Sequence, residues 1–574
     1  PMTTSMVPEK APPGATDQDS KHSEGLVLRY TLHDLPTAQH KAGLAGLLLM
    51  LESMRRRKIA PIPEVVEVSA HGASIKVTAE SLQSVFDDYY DGANIEIALK
   101  NKRAGEEPLR EDESETIDED GKSKIEKRFI YEIIQPKAAF LSALNGDQVA
   151  WTKLYREVMW NILRGRPATQ IPYKTRLEGV QQNESEKLWQ ALEKSQAKKK
   201  GPSLMPIASS IFIGAQAESA EKIGFQGIPE ENLLLHFWPL ASRIFCPATV
   251  DLDGKTNDVG FVLVIPEPLD LQYFCENCLE MLASLGPELS GYRPSAARID
   301  VPAEGGLEYL GALARHRADG SFRFSVSAVE SYHLEKVGNN VQMHGMQRIE
   351  ASRQILDRYE RFKQNFRNGL FKVQHLANLL ADAPWYRGFI SVMAFMPAKF
   401  FIQKTGETPG KLSFFGRDAW YAFSLLQPNN PTKGGQPMSE EMKDELLAQR
   451  VYEVVRTYVM SRTEDKSGIT YDSFKENRDE NGYVKTPESY RDAKEKVCMD
   501  AFLAIRGRTE QDFVEYFAGT LCSVPQNLKK DRYVEISNAL FTEWEKVKTL
   551  SLLALSAVSW SFKPITSTST FKED

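Results

Sequence analysis

One segment of the sequence combines the side-chain types that contact a nucleic-acid backbone. It reads RGRPATQIPYK and carries two guanidiniums, an amide and an ammonium, at Arg164, Arg166, Gln170 and Lys174. Guanidiniums pair with phosphate oxygens, and the ring of Tyr173 offers a stacking surface for an unpaired base. The two prolines predict an extended segment that contacts the backbone of a guide or a duplex. An ordinary surface loop is the alternative interpretation.

A run of lysines ends a predicted helix directly before a glycine and a proline; the run is Lys198, Lys199 and Lys200. Ammonium groups beside a glycine suit a phosphate contact, because no side chain keeps the backbone away. We predict contacts to the phosphates of a duplex. A solvated helix end is the alternative.

A predicted hairpin tip, VGNNVQ, projects three side-chain amides, at Asn339, Asn340 and Gln342. Asn and Gln amides hydrogen-bond to base edges, so we predict base reading or strand wedging here, although Gly-Asn is also ordinary turn chemistry. The helical segment that follows is either a face that tracks a backbone or a solvated face, with cations at Arg353, Arg358, Arg361, Lys363, Arg367 and Lys372.

The motifs that resemble reactive centres are incomplete. Cys275-x-x-Cys278 has the spacing of half a zinc site, for which Cys246 and His236 would be the remaining candidate ligands. A structural zinc usually uses two closely spaced pairs, whereas this pair lies in an amphipathic pattern that favours packing in a core. We therefore predict a non-enzymatic protein with no catalytic residue, no metal and no cofactor.

The elements that position these groups begin with a mixed α/β order. Hydrophobic spacing predicts a strand, a helix, a hairpin, a helix and a strand at Leu26–Leu32, Pro36–Lys58, Val65–Val77, Ala79–Tyr90 and Ile95–Leu99. This β-α-β-β-α-β order is that of a ferredoxin-like or RNA-recognition-motif-like (RRM-like) unit. The acidic stretch Asn101–Lys127 predicts an exposed loop or arm that interrupts the unit.

From Gln347 onward helical periodicity dominates, and the breaker-rich segment QPNNPTKGGQP divides this half. The predicted fold class is α+β, a mixed α/β N-terminal part followed by an all-helical C-terminal bundle. The predicted domains are a disordered tail at residues 1–24, an α/β domain at 25–345, a connecting helical region at 346–430 and the bundle at 438–565.

Composition limits the class of protein. The chain of 574 residues is 42% hydrophobic and 26% charged, as in ordinary globular proteins, and its apolar runs fall short of the roughly 18 residues of a membrane span. Five cysteines in so long a chain indicate reduced thiols and a cytoplasmic location. The net charge of −7 argues against a freestanding nucleic-acid binder, but it is compatible with a subunit that has local basic patches.

Several longer segments resemble one known family: LHDLPTAQHKAGLAGLLLML, GRPATQIPY, NLLLHFWPLASRIFCPATVDLDGK, GFVLVIPEPLDL and SAVESYHLEKVGNN. With these segments the chain resembles the large subunit of type I CRISPR surveillance complexes (Cascade), near subtype I-B. The resemblance covers most of Leu26–Gly345, and in the helical remainder it is one of architecture.

The resemblance implies a non-catalytic subunit for antiviral defence. In such complexes the N-terminal part lies at the 5′ end of the guide RNA, recognises the motif that flanks the target in duplex DNA (the PAM) and helps to separate the strands. The helical part resembles the small subunits that hold the displaced strand. The implied partners are guide RNA, target double-stranded DNA, the backbone, handle-binding and small subunits, and a helicase-nuclease recruited on target binding; no membrane is implied.

Two alternatives belong to other classes of protein. One is a metal-dependent nuclease with dispersed ligands, for which Asp251 and Asp253 are candidates, and the other is a purely structural scaffold. Met438 and Met442 follow the breaker-rich segment and open a helical region of about small-subunit size. In systems related to the resembled family an internal translation start yields that subunit separately, so the resemblance implies such a start at one of these methionines.

Overall fold

The computed structural model describes residues 25–103, 105–117, 123–165, 167–179, 183–197, 203–208, 210–214, 224–250, 256–286, 293–315, 323–338, 340–402, 414–426, 440–478, 484–523 and 530–561. The chain forms two compact units, an N-terminal unit within Pro1–Ala241 and Glu267–Leu289 and a C-terminal unit within Ser242–Pro266 and Ser290–Asp574. None of the described helices is long and apolar enough to cross a bilayer. The predicted tail at residues 1–24 lies outside the described residues.

The N-terminal unit begins with the predicted order of elements: β1 (Leu26–Thr31), α1 (Ala38–Arg56), β2 (Glu64–Val68), β3 (Gly72–Val77), α2 (Ala79–Tyr89) and β4 (Gly92–Leu99). Strands β1, β3 and β2 form one antiparallel sheet in that order, which confirms the hairpin. Strand β4 instead pairs along its whole length with β6 (Ser123–Pro136). The element order of a ferredoxin-like unit is therefore present in the described residues, but its fourth strand joins a different sheet.

Of the two expectations for the acidic stretch, an exposed loop is wrong for β5 (Arg110–Ile117), which pairs with β6 to give a second sheet ordered β4-β6-β5, while the exposure of residues 110–113 agrees with an exposed arm. Ion pairs accompany this sheet: Glu111 of β5 lies 2.7 Å from the ammonium of Lys102 and 2.5 Å from that of Lys127 on β6, and Glu96 of β4 lies 2.6 Å from the guanidinium of Arg110 on β5. Opposite charges on neighbouring strands support pairing where apolar burial is scarce.

The rest of the N-terminal unit is mainly helical and consists of α3 (Ala139–Asn145), α4 (Ala150–Val158), α5 (Ile171–Leu177), α6 (Asn183–Ala197), β7 (Met205–Pro206), β8 (Gln226–Gly227), α7 (Pro229–Leu234), α8 (Trp238–Ala241) and α9 (Leu271–Ala283). Helix α1 lies at its centre because two glycines let other backbone segments approach. A Cβ on Gly43 or Gly46 would lie 2.2 Å from the carbonyl oxygen of Leu234 or 2.0 Å from that of Phe237. Any side chain at either position would push this core apart.

The C-terminal unit contains a six-stranded sheet built from β9 (Arg243–Val250), β10 (Thr256–Asp258), β11 (Phe261–Pro268), β12 (Arg298–Ile299), β13 (Val326–Val337) and β14 (Asn340–Glu350). The order is β10-β9-β11-β13-β14, with β12 on β9. Helix α10 (Glu304–Arg315) covers the sheet through Gly305 and Gly306, where a Cβ would lie 2.9 Å from Val262 and 2.7 Å from Ile349. The close approach of α10 fixes its first turn against the strands.

The remaining elements are helices, which confirms the helical C-terminal part: α11 (Arg353–Phe362), α12 (Gly369–Leu380), α13 (Phe389–Phe395), α14 (Phe415–Ser424), α15 (Glu440–Ser467), α16 (Glu488–Arg506), α17 (Glu510–Gly519), α18 (Lys530–Thr542) and α19 (Trp544–Trp560). Helix α19 is buried from Val547 to Ser559 and is packed by α14, α15 and α16. Its buried hydroxyls are satisfied inside the helix, since Ser551 donates to the carbonyl oxygen of Val547 at 2.7 Å.

A buried ion pair joins α10 to α12. The ammonium of Lys372 lies 2.6 Å from Oε1 of Glu304, and both side chains are only 3% exposed. The second carboxylate oxygen of Glu304 accepts hydrogen bonds from the backbone N–H groups of Asp300 and Val301, and the hydroxyl of Tyr359 donates to the first. Although burial opposes protonation, the carboxylates of Glu304 and Asp300 raise the pKa of Lys372, so it stays charged. The pair thereby fixes three helices and the loop before α10.

We expect Lys372→Met to lower the free energy of unfolding by about 3 kcal/mol, because it leaves the carboxylate of Glu304 buried without its cation. Urea unfolding of the full chain measures the loss. The matched control is Lys399→Met, since Lys399 is an exposed lysine of the same unit.

The double variant Glu304→Leu/Lys372→Met should recover most of this stability, since it removes both buried charges. Equal midpoints for Lys372→Met, Lys399→Met and the unchanged chain would contradict the role given to the pair.

Candidate nucleic-acid interface

The predicted hairpin with the amide tip is confirmed. Strands β13 and β14 pair from Ala328 with Glu350 to Val337 with Asn340, and the turn between them passes through Gly338 at φ +62. This φ is one that glycine adopts without strain. Asn340 and Gln342 are exposed, and Asn339 lies outside the described residues.

Strand β14 is exposed to solvent on both faces in the outer part of this hairpin. Every residue from Asn340 to Met346 is exposed, although successive strand residues point to opposite sides. Val341 and Met343 are 39% and 46% exposed, on the face opposite to Asn340 and Gln342. On β14 the tip therefore has amides on one side and apolar side chains on the other; on β13, Val337 and Glu335 pair with the two amide residues and Lys336 pairs with Val341. A two-stranded β-ribbon fits the major groove of B-form DNA.

A β-bulge changes the direction of the hairpin between its inner and outer parts. The register shifts between His333 and Leu334, so that His344 is the extra residue on β14. The ring of His344 lies 5.0 Å from that of His333 and its Nε2 lies 2.7 Å from a carboxylate oxygen of Glu335, while Nε2 of His333 lies 2.8 Å from the carbonyl oxygen of Val259 on the loop before β11. A bulge bends and twists a strand, and these contacts hold the bend in place.

Within the segment RGRPATQIPYK the residues from Pro167 onward are helical, which overturns the expectation of an extended segment. A 3-10 turn at Pro167–Gln170 leads into α5, with Pro172 in the first helical turn, where proline's missing N–H costs nothing. Tyr173 is 1% exposed and packs edge-on against Tyr90 at 5.1 Å, so its ring does not offer a stacking surface. An amphipathic helix buries the aromatic that an extended segment would have presented.

The prediction that Arg164 contacts a nucleic-acid backbone is also not supported by its position. It is only 4% exposed; its Nη2 donates to the hydroxyl of Tyr90 at 2.8 Å, and its guanidinium lies 5.2 Å from the centre of that ring. The same hydroxyl lies 2.7 Å from Nδ1 of His236, whose pKa burial lowers to about 3. In this arrangement Arg164 is a core residue that organises a polar cluster. A phosphate at the surface is out of its reach.

The other residues predicted to contact a nucleic-acid backbone fall into two groups, those that the structure describes and those that it does not. Gln170 donates from its amide to the carbonyl oxygen of Arg164 at 3.0 Å and so closes the 3-10 turn, while Lys174 lies exposed on α5. The remaining candidates lie outside the described residues: Arg166, Lys198, Lys199 and Lys200.

The cysteines predicted to pack in a core do so. Both lie on α9, where Cys278 is fully buried and Sγ of Cys275 faces the carbonyl oxygen of Ala45 at 4.0 Å. Burial raises the pKa of Cys275, which disfavours the thiolate that binds metals. No group of three or more His, Cys, Asp or Glu side chains with metal-binding geometry occurs in the part of the chain described. Asp251 and Asp253 lie outside it.

Five of the six cations of this helical segment fall into two groups that differ in burial. Lys372 lies in the core ion pair and Lys363 pairs with Glu308 at 3.3 Å. The three arginines Arg353, Arg358 and Arg361 instead line a cleft of about 590 Å³, together with His375 and Trp385. The two ring residues carried no signal in the sequence, because they come from α12 and from the loop after it and meet the arginines only in the folded unit.

Two family models match the chain. The model described as the Type I-B CRISPR Cas8b N-terminal domain matches residues 62–321, and the model described as the Type I-B CRISPR Cas8b C-terminal domain matches residues 326–558. A search of curated proteins finds no match. The two matches together span most of the chain, including the sheet, the hairpin and the helical bundle.

We expect Arg164→Ala to lower the free energy of unfolding by about 2 kcal/mol, because it opens a cavity beside Tyr90 and removes a buried hydrogen bond. Thermal unfolding of the full chain measures this loss, with the exposed Lys174→Ala as control. An Arg164→Ala variant that is as stable as the unchanged chain but binds RNA more weakly would restore the contact role.

Proposed function

The chain belongs to the Type I-B CRISPR Cas8b family and is a large subunit of the Cascade complex; we propose that it recognises the motif flanking the target in duplex DNA. The recognition element of this proposal is the tip of the β13–β14 hairpin. The remaining target sequence is read by guide pairing, which needs no side chain of this subunit.

The observation that carries the proposal is that the amide side chains of β14 are exposed at the tip of the hairpin. Side-chain amides each offer a donor and an acceptor, which is what the base edges in a groove require. Asn340 and Gln342 share one face of β14, two residues apart, so they can address neighbouring base pairs from one approach. Asn339, directly beside them in the sequence, extends this set.

The opposite face of the ribbon suits strand separation. Val341 and Met343 present apolar side chains that bury surface when they pack against an exposed base pair. Apolar side chains have little to gain from a phosphate backbone, whereas they stabilise a base step that has lost its neighbour; Lys336, which pairs with Val341, adds one cation on the same side. We assign the wedge to this face and sequence reading to the amide face.

Positioning on the phosphates belongs to the cations of the N-terminal unit. Lys174 is exposed on α5, and the further proposed contacts to the guide or duplex backbone are Arg166, Lys198, Lys199 and Lys200. Such contacts give affinity and register without sequence information. They also reconcile a net charge of −7 with nucleic-acid binding, since local potential decides the contact.

The proposed partners are guide RNA, target double-stranded DNA, the backbone, handle-binding and small subunits of Cascade, and a helicase-nuclease recruited on target binding. In this arrangement the chain works in the cytoplasm without catalysing a reaction, and the recruited enzyme cuts the DNA. Substitutions in the hairpin should accordingly change which targets are bound and leave the cutting chemistry unchanged.

We expect the variant Asn339→Ala/Asn340→Ala to relax discrimination between flanking motifs by about tenfold, because each amide pair contributes roughly 1–3 kcal/mol against a wrong base. The measurement is the affinity of the assembled complex for a set of duplexes that differ only in the flanking motif. Gln347→Ala, at the root of the same hairpin, is the matched control.

A uniform loss of affinity across all motifs would show that the amides position the duplex without reading it. Unchanged discrimination in the double variant would refute the proposal.

We also propose an internal translation start at Met438 or Met442. Met438 lies outside the described residues, and Met442 lies in the first turn of α15, so either start retains nearly all of the helices from α15 onward. Replacing both methionines by leucine should abolish a short C-terminal product on expression of the gene. Persistence of that product in the double variant would contradict the proposal.

A further inference from the structure

Strand β14 (Asn340–Glu350) lies at the end of its sheet and has a neighbouring strand, β13, on one side only. In an antiparallel ladder every second residue turns both its N–H and its C=O away from the partner strand. In the part of the chain that the structure describes, no backbone group from Asn340 to Gln347 hydrogen-bonds to a segment other than β13. The edge of β14 is therefore open over this stretch.

The length of the turn determines which residues face the open edge. Only two residues separate Val337 from Asn340, and a turn of that length is closed by a pair of residues that exchange hydrogen bonds. Because hydrogen-bonded and non-hydrogen-bonded pairs alternate along the ladder, the N–H and C=O groups of Val341 and Met343 point to the open edge. These groups have the direction that a further strand needs.

The side chains beside this edge are apolar on one side of the sheet. Val341, Met343 and Met346 are 39%, 46% and 51% exposed. Their partners on β13 follow one another at steps of two residues, so all three side chains lie on the same side. A strand that adds to the edge can bury them partly with apolar side chains of its own.

Two other edge strands of the chain carry charges, which is one way in which proteins keep such edges unpaired. The acidic strand β5 contains several Glu and Asp residues, and β2 exposes Glu64 and Glu67. The stretch Asn340–Gln347 contains no Asp, Glu, Lys, Arg or Pro. An added strand therefore meets neither a repelling charge nor a missing N–H group along this part of β14.

We propose that the open edge of β14 binds an extended strand of another subunit of the Cascade complex, which continues the sheet by backbone hydrogen bonds. An extended polypeptide offers alternating donors and acceptors at the spacing of this edge, whereas a nucleic-acid backbone offers mainly acceptors. Membership of a complex of several subunits provides such polypeptides. The partner strand should alternate apolar and polar residues, because Val341 and Met343 lie on one side of β14 and amides on the other.

A second copy of this chain fits the edge less well than a different polypeptide. The bulge at His344 interrupts the ladder near the middle of the open stretch. In a twofold pairing of two β14 strands centred there, the bulges of both copies would lie side by side, where neither strand is regular. A strand without a bulge meets a single irregularity and can follow its twist.

Edge pairing and base reading use different groups of the hairpin. The amide side chains of Asn340 and Gln342 project from one face of the sheet, whereas the open N–H and C=O groups lie in its plane. A docked strand therefore leaves the amides available. Edge pairing depends on membership of the complex and does not depend on recognition of a flanking motif.

Hydrogen–deuterium exchange tests the edge in the unchanged protein. The full chain is compared, alone and in the complex assembled with guide RNA but without target DNA. The peptide that contains Val341 and Met343 should exchange about tenfold more slowly in the complex, because amides that become hydrogen-bonded exchange only when the pairing opens. One segment of a single partner subunit should be protected in parallel.

A proline on the edge tests the same pairing by substitution. Met343→Pro removes an N–H that β13 does not use, so it should weaken binding of the full chain to the guide-RNA-bound remainder of the complex about tenfold and leave the hairpin folded. Met343→Ala is the matched control, since it shortens the same side chain but keeps the N–H, and it should change binding less than about threefold. Val341→Pro and Val341→Ala repeat the comparison, and thermal midpoints check folding.

Slower exchange of the β14 peptide and of one partner segment, lost in the complex with Met343→Pro, would support edge pairing and identify the strand. Equal affinities of the proline and alanine variants, or unchanged exchange on assembly, would overturn it. Slowing only after target DNA is added would do the same, as would slowing in the isolated chain at rising concentration, which indicates a second copy. The motif discrimination of Asn339→Ala/Asn340→Ala is measured separately, so its failure would refute the proposed function and leave this result standing.

Discussion

The ion pair between Glu304 and Lys372 is the interaction on which the arrangement of the C-terminal unit depends. Both side chains are 3% exposed, so neither charge can exchange its partner for water. Glu304 belongs to α10, which lies against the sheet through two glycines, and Lys372 belongs to α12, which forms part of the cleft. The pair thus fixes the position of α12 relative to α10 and to the sheet on which α10 lies. Buried pairs of this kind specify a geometry more than they add stability, because desolvation offsets much of the attraction.

That specification matters because the proposed recognition hairpin is rooted in the same unit. The hairpin extends the sheet that α10 covers, and α11 is tied to the ion pair because its Tyr359 donates a hydrogen bond to Glu304. The chain as a whole is acidic. Recognition then depends on a few side chains in fixed orientations. An amide distinguishes one base from another only when the strand that carries it fixes the direction of its donor and acceptor.

The predictions from the sequence were right where local pattern was sufficient. The helix α1, the β2–β3 hairpin and the hairpin tip at Gly338 follow from spacing and turn chemistry, and the structure confirms them. They failed where a partner distant in sequence decided the outcome. Strand β5 pairs with β6, where Lys127 lies 2.5 Å from Glu111, and β4 pairs with eight residues of β6; in both cases the partner lies outside the local pattern of the strand. The domain limits at 345 and 430 stay predictions.

Arg164 and Arg361 show most clearly which properties the sequence determined and which the tertiary structure determined. The sequence by itself determined that both are permanently charged donors and that amides cluster at a tight turn, because residue type and helical or strand period are local properties. Only the tertiary structure decided that Arg164 is enclosed by Tyr90 and its neighbours whereas Arg361 opens onto a cleft beside His375 and Trp385. The physical reason is burial: whether a charged group meets a tyrosine or a ligand depends on segments far away in the chain, and no local spacing encodes them.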